Sequence, residues 1–350
     1  MRHLTAALLL AACTPQPGAR PVPEPVIQRA HGEALGTTWN VSWVEAEGAG
    51  DAARVDATVK RVLAEVDEHM STWRDDSELS RARRAEGPTP VSQDTALVVD
   101  AAMDLAEVSG GAFDPTVQPL MELWGFFGER RDDLPSDEEI AAVRERVGWR
   151  KVVLDRGPDG ATLDVGGTAL DLSAIAKGHA VDRIHNALAA DGLAQVFVEV
   201  GGEVRVSGPA QQRPLWRVGV NIPDPAAAPD AFALVVSLTN GAVATSGNYR
   251  NHYEVDGKTL VHTMDPRQGR PVTTHVASAT VVAPDCRTAD GLATTLMVLE
   301  PDAGLALIES LPDTEAALLL FDEGQFQLRT TGGMDRHVEV VSDRIRKKSP

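Results

Sequence analysis

Beyond Trp149 the chain breaks into short alternating runs, KVVLD, ATLDV, VFVEV, EVRVSG, WRVGVNI and ALVVSL, separated by residues that turn a backbone. Asn240-Gly241 and Asp256-Gly257 are dipeptides that two-residue hairpins of the primed type demand, since both central residues take positive φ, and Gly201-Gly202 is a third candidate. Strands joined that tightly can only pair antiparallel. A last pair, AALLLF and FQLRTT, closes the series. Ahead of Trp149 the period changes: Val55, Val59, Val62 and Val66 recur at helical spacing, and residues 55–70, 95–108 and 136–147 read as helices. A further helix at 174–188 places Ile175, Val181, Ile184 and Leu188 on one face, and two more fall between 288 and 311. With no βαβ alternation and no fixed-period repeat, the expected class is α+β, with largely antiparallel sheets, packed helices and a helix-rich N-terminal half.

The N-terminus carries different information. MRHLTAALLLAAC sets Arg2 and His3 before an apolar run that ends in small residues at Cys13. That is a secretory signal closing on a lipoprotein box, too short to span a bilayer as a stable helix. Residues 1–13 are therefore expected to be a signal ending at a lipidated Cys13, which holds the mature chain to a membrane of the bacterial cell envelope, facing the periplasm. The proline-rich stretch that follows reads as an extended tether over 14–33, leaving 34–345 as a single folded domain. With Cys13 lipidated, Cys286 has no thiol to pair with, so stability must come from a core, for which 43% hydrophobic residues suffice. A formal net charge of -18 argues against nucleic acid as a partner, and any anionic ligand needs local cations.

Four stretches carry chemistry. In CRTADGLATTLMVLE, Asp290 and Thr294 lie one helical turn apart on one face. Such a carboxylate and hydroxyl suit a hard cation such as Mg2+; equally, an Asp near a helix start complements the dipole and a mid-helix Thr can bond the carbonyl four residues back. In LDLSAIAKGHAVDRI a helix opens near Ser173, where free N–H groups and Lys177 could take a phosphate, or where Ser173 is an ordinary cap and Lys177 a solvated residue. SGGAFDPTVQPLMELWGF offers a glycine loop, the Phe113 ring and the Asp114 carboxylate to a flat heterocycle, or a turn that caps the core. Trp73 in HMSTWRDDSELSR can stack on a ligand or anchor the core. Neither GxxxxGK[ST] nor GxGxxG after a strand occurs, which removes the signatures of Walker-type and Rossmann nucleotide sites.

Taken in order, GTTWNVSW, MSTWRDDSELSR, GGAFDPTVQPLMELWGF, LDLSAIAKGHAVD, VEVGGEVRVSG, SGNYRNHYEVDGKTLVHTMDPRQGRP and TADGLATTLMVLEP span most of the chain, and the whole resembles the FAD:protein FMN transferases, the ApbE family of bacterial lipoproteins. The resemblance implies a reaction in which FAD is cleaved at its pyrophosphate, FMN is joined through phosphate to a Thr or Ser hydroxyl of an exported or membrane-bound acceptor protein, and AMP leaves. It implies Mg2+ held by Asp290, Thr294 and the backbone carbonyl of Ala174, and FAD contacts at Leu35, Trp73, Ala112, Phe113, Asp114, Asp171, Lys177 and Met264. Leu35 stands where many relatives have Met, and Met264 where they have Ile. His262 falls in the H-x-x-D-P segment, as the base that takes the acceptor proton; an imidazole of pKa about 6.5 can do this at neutral pH. His252 reads as structural, Tyr249, Arg250 and Asp265 as supporting groups, and Arg267 and Arg270 as acceptor-binding or solvated. Two other activities share the same residues: a Mg2+-dependent FAD pyrophosphatase giving FMN and AMP, and a periplasmic flavin-binding lipoprotein without chemistry.

Overall fold

The computed structural model describes residues 26–44, 51–158, 160–208, 216–249, 252–322 and 324–347. The expected signal segment and Cys13, most of the expected tether, and Arg250 lie outside the described residues. Among the described residues no helix is long and apolar enough to cross a membrane.

The centre is a sheet in the strand order Ile27–Ala34, Thr37–Val44, Val196–Val200, Glu203–Ser207, Gly241–Gly247, Val276–Ala283, Glu315–Asp322, Gln325–Thr330 and Ile345–Lys347. Each neighbouring pair runs antiparallel except the last, which is parallel. Period-2 alternation sorts its side chains onto two faces. Ala242 and Ala244 join Trp39, Val41, Trp43 and Val198 in a core shared with the helices Ala52–Met70, Gln93–Val108, Ser173–Ala190 and Cys286–Val298. Val243, between them, faces a second core with Val204, Val206 and Leu319, closed by the three-stranded sheet Trp216–Asn221, Phe232–Leu238 and Val338–Val340. The result is α+β: helices, a wide antiparallel sheet and a small sheet in three layers.

Local chemistry explains the turns. Gly201 and Gly202 both take positive φ and join Val200 to Glu203, and Asp256 (φ 50) with Gly257 (φ 70) joins Val255 to Lys258. Asn240-Gly241 departs from expectation. The strands on either side of it belong to different sheets, so this dipeptide is a crossing point, and Asn240 Oδ1 instead accepts from the Gly208 N–H at 3.0 Å. The tether boundary also moves: Ile27–Ala34 is a paired edge strand, so the fold starts ahead of residue 34. An edge strand buries only part of one face, and IQRAHGEA is polar enough to pass for linker.

Candidate active site

The site is built where two helices meet almost without clearance. A Cβ added to Gly178 would stand 2.3 Å from the Cys286 carbonyl oxygen and 2.8 Å from Asp290 Cβ, so glycine is what allows the Ser173–Ala190 and Cys286–Val298 helices to touch here. Asp182 then docks the second helix on the first: its Oδ1 accepts from the Cys286 N–H at 2.9 Å and its Oδ2 from the Arg287 N–H at 3.0 Å, with Arg205 bracing it at 2.6 Å.

This junction aims Asp290 and Thr294 into a cavity of about 410 Å3, whose wall also includes Ala174 and Lys177. The structural alternatives for both residues are filled by their neighbours. Asp285 caps the helix, accepting from the Thr288 N–H at 2.9 Å, and Thr295, not Thr294, bonds the carbonyl four residues back, at 2.8 Å to Gly291. Thr294 pairs its hydroxyl with that of Ser246, 3.2 Å away on the central sheet. Asp290 is buried; its Oδ2 accepts from the Gly178 N–H at 2.9 Å and lies 3.7 Å from Lys177 Nζ. Burial pushes the Asp290 carboxyl up, with Lys177 and the Gly178 N–H opposing.

Glu203, which the sequence reading did not single out, completes the charge cluster. Its Oε1 is 3.0 Å from Lys177 Nζ, while Oε2 is buried with no hydrogen-bond partner among the described residues. Burial pushes the Glu203 pKa up to about 8, and the Asp290 charge adds to this against the pull of Lys177. Burial works against the Lys177 ammonium too, yet the two carboxylates outweigh it and hold its pKa above the usual lysine value. Once Glu203 gives up its proton, two carboxylates face one ammonium and the hollow becomes a net acceptor of positive charge. An orphaned carboxylate oxygen beside a carboxylate and a hydroxyl, with the Ala174 backbone on the same wall, is a donor set that fits a hard, oxygen-seeking cation. Among the described residues no group of three His, Cys, Asp or Glu side chains forms a metal cluster. The fit therefore relies on few protein ligands, as suits an ion that keeps water or binds phosphate oxygens.

The loops supply the rest of the wall. Asp171, just ahead of the Ser173 helix, accepts from the Ser173 N–H at 2.8 Å and the Ser173 hydroxyl at 2.5 Å, so Ser173 is the first helical residue and not the cap. Asp114 is buried and fully engaged. Its Oδ1 accepts from the Thr116 N–H and hydroxyl at 2.8 and 2.6 Å, and its Oδ2 from the Trp149 N–H at 3.2 Å. Burial raises its pKa, with these bonds opposing. Ala112, Phe113 and Met264 are buried and line the cavity beside it.

His262 lines the same cavity and a neighbouring one of about 410 Å3. That second space is bounded by Trp73, Phe126, Phe127 and Tyr253. Trp73 is 76% exposed and stacks on Phe127 with ring centroids 4.4 Å apart, so it is a surface aromatic at a cavity mouth and not a core anchor. The two cavities share Met121, Asp171, Ser173 and His262. Below His262 the chain is pinned: Asp265 holds Arg267 by two bonds of 2.9 Å, and Arg270 pairs with Asp137. Burial opposes the Asp265 charge, but the Arg267 bonds prevail and keep its pKa below the ordinary carboxylate value. His252 is not packed into the structure but stands exposed at the rim of the Trp73 cavity. Leu35 lines neither cavity; it occupies the turn between the first two strands at φ 52 and rests on the helix-side core.

A pair of confluent cavities, with cation-fitting oxygens and an ammonium on one wall and an imidazole bordering both, is the equipment of an enzyme acting on a phosphate-bearing ligand. The family model described as "ApbE family" matches residues 35–319, and the chain belongs to that family. It is 37% identical over 328 residues to the FAD:protein FMN transferase of Vibrio cholerae, covering 92% of this chain and 93% of that one. The FAD:protein FMN transferase of Haemophilus influenzae is 36% identical, covering 87% of each. The solved flavin transferase ApbE from Vibrio cholerae superposes with a TM-score of 0.79 at 34% identity, over 89% of this chain and 99% of that structure.

Proposed function

We propose that this chain is an FAD:protein FMN transferase that works with Mg2+, and that the residues just described carry the reaction. The transferase activity follows from its family and from relatives bearing that name along nearly their full length. Asp290, Thr294 and the Ala174 carbonyl would hold the cation. When bound, it supplies positive charge to the pyrophosphate oxygens of FAD as the anhydride bond breaks.

Every other step belongs to side chains of this protein. Lys177, held charged between Asp290 and Glu203, faces the same phosphates and offsets their charge. Trp73 and Phe113 offer flat rings and Met264 apolar surface to the flavin, while Asp171 and Asp114 fix nearby loop backbone. His262 accepts the proton of the acceptor hydroxyl as that oxygen bonds to the FMN phosphorus; the bond from this phosphorus to the AMP oxygen breaks, and AMP departs with the electron pair. FMN is left joined to the acceptor as a phosphoester. Position, more than reactivity, is what the protein contributes, because phosphoryl transfer has little covalent chemistry to assist.

The observation that carries this reading is that Asp290 and Thr294 line one cavity with Lys177 and His262. The test incubates the enzyme with FAD, MgCl2 and a flavin-accepting protein. Covalently fluorescent acceptor with stoichiometric AMP is expected. FAD that stays intact in the presence of both would overturn the proposal. We further propose that the chain is anchored through a lipidated Cys13 to the cell envelope and faces the periplasm. The composition of residues 1–13 supports this, and membrane fractionation of a Cys13→Ser variant tests it.

A further inference from the structure

A transferase needs room for two substrates, and the two cavities that meet at His262 account for one. A third cleft, of about 520 Å3, lies alongside. It shares Tyr249 with the active cavity and His252 with the Trp73 cavity. The hairpin His252–Val255 and Lys258–Val261 forms one of its sides: Thr259 and Val261 line the cleft, Leu260 between them is buried in a core, and His262 lines the active cavity. The strand and the residue that follows it thus present the proposed base to one space and its neighbours to the other.

The opposite side is aromatic and partly open. Phe321 is 46% exposed, and its ring lies 5.0 Å from that of Phe326. Next to them the strand Val276–Ala283 shifts register between Val276 and Ser278, a bulge that adds Ala277 to the lining. Among the described lining residues the Asp and Arg side chains are Asp224 and Arg344, and these pair with each other at 2.6 Å. The remaining described lining is uncharged apart from His252 and His275, with Val261, Val272, Val276 and the two phenylalanines supplying apolar surface.

Tyr249 divides this cleft from the active cavity, and its place is built. A Cβ on Gly247 would stand 2.8 Å from Tyr249 Cε1, so the ring lies against the Gly247 backbone, one residue beyond the Ser246 that holds Thr294.

We propose that this cleft seats the acceptor: an extended segment of the flavin-accepting protein that lays apolar side chains against Phe321 and Val261. The inference rests on the transferase reading. It follows from continuity: a segment lying along Phe321 and Val261 brings a side chain past Tyr249 to His262, while its backbone stays outside the space FAD fills. Apolar side chains seated in such a cleft supply affinity.

The test measures transfer to a purified acceptor protein by Phe321→Asp and Thr259→Glu variants of the full-length enzyme with FAD and Mg2+. Both positions are surface-facing, and unchanged FAD affinity and melting temperature verify folding. At least a ten-fold rise in KM for the acceptor is expected in each, with kcat at saturating acceptor and acceptor-independent FAD cleavage unaltered. Acceptor KM values within two-fold of the parent in both variants overturn the docking assignment alone. So does a variant that loses self-association at unchanged KM, since the cleft then serves a second copy of the chain. A parental enzyme that cleaves FAD but labels no acceptor removes the transferase reading, and the docking with it.

Discussion

The two halves of the site are made in opposite ways. The cation end is a helix–helix junction in which charged groups are buried and the helices touch so closely at Gly178 that an added methyl has no room. The hairpin end, where His262 sits, is half-exposed, and its turn at Asp256-Gly257 has open space around it: a Cβ on Gly257 would meet nothing within 4 Å. Buried charge is tolerated only where geometry is locked, because an unpaired ion in a protein interior is costly. A proton acceptor must meet an incoming protein, and this is easier from a ribbon at the surface than from a packed helix. On the proposed roles, the difference teaches that the part that would handle the diphosphate is preorganised by packing, and the part that would meet the acceptor is left accessible.

Substitutions can break this contrast. The largest effect is expected from Gly178→Ala, which forces the two helices apart; a loss of about 3 kcal/mol or more in urea melts, together with abolished transfer, is the expected outcome. A stable, active variant would show that the helices can separate freely. Asp290→Ala keeps the fold but removes the carboxylate from the cation wall, and transfer should fall by roughly a thousand-fold, read as AMP release under saturating FAD and MgCl2. His262→Ala should lower kcat by about 10²- to 10⁴-fold with FAD affinity, measured by flavin fluorescence, nearly unchanged. An equal loss in both would make it a binding residue. Gly257→Ala, at φ 70 but uncrowded, should cost only about 1 kcal/mol and leave kcat intact, in contrast to its counterpart at 178.

The smallest effect is on pH dependence. Glu203 has its pKa raised in the folded chain, so its contribution to stability is fully present below its ordinary value of 4.5 and is lost as pH rises towards about 8. In EDTA, thermal melts of the parent should drift downwards across that window, and those of Glu203→Gln should drift less. Identical slopes would mean that Glu203 is ionised throughout.

Much of this was readable in the sequence, and the reasons divide cleanly. Asp256-Gly257 and Gly201-Gly202 state their turns locally, since the backbone conformation is dictated by the dipeptide itself. Asn240-Gly241 misleads because a turn signal does not say whether the next strand returns to the same sheet. The helix face bearing Asp290 and Thr294 is legible from spacing. Which of Thr294 and Thr295 turns to the cavity is settled only by what packs behind the helix. Glu203 and Asp182 escape notice for a different reason. Their roles exist only after folding, when Glu203 meets Lys177 and Asp182 meets the start of a helix more than a hundred residues away. A signal was nonetheless present, since both residues lie inside the VEVGGEVRVSG and LDLSAIAKGHAVD motifs.

Trp73 has one more consequence. It is 76% exposed at the mouth of a cavity lined by Phe126, Phe127 and Tyr253, while Trp39, Trp43 and Trp124 are each 4% exposed or less. An indole so placed is open to iodide, and under the proposed flavin placement it would be shielded on binding, giving the protein an optical reporter of substrate arrival that is spectrally distinct from the flavin.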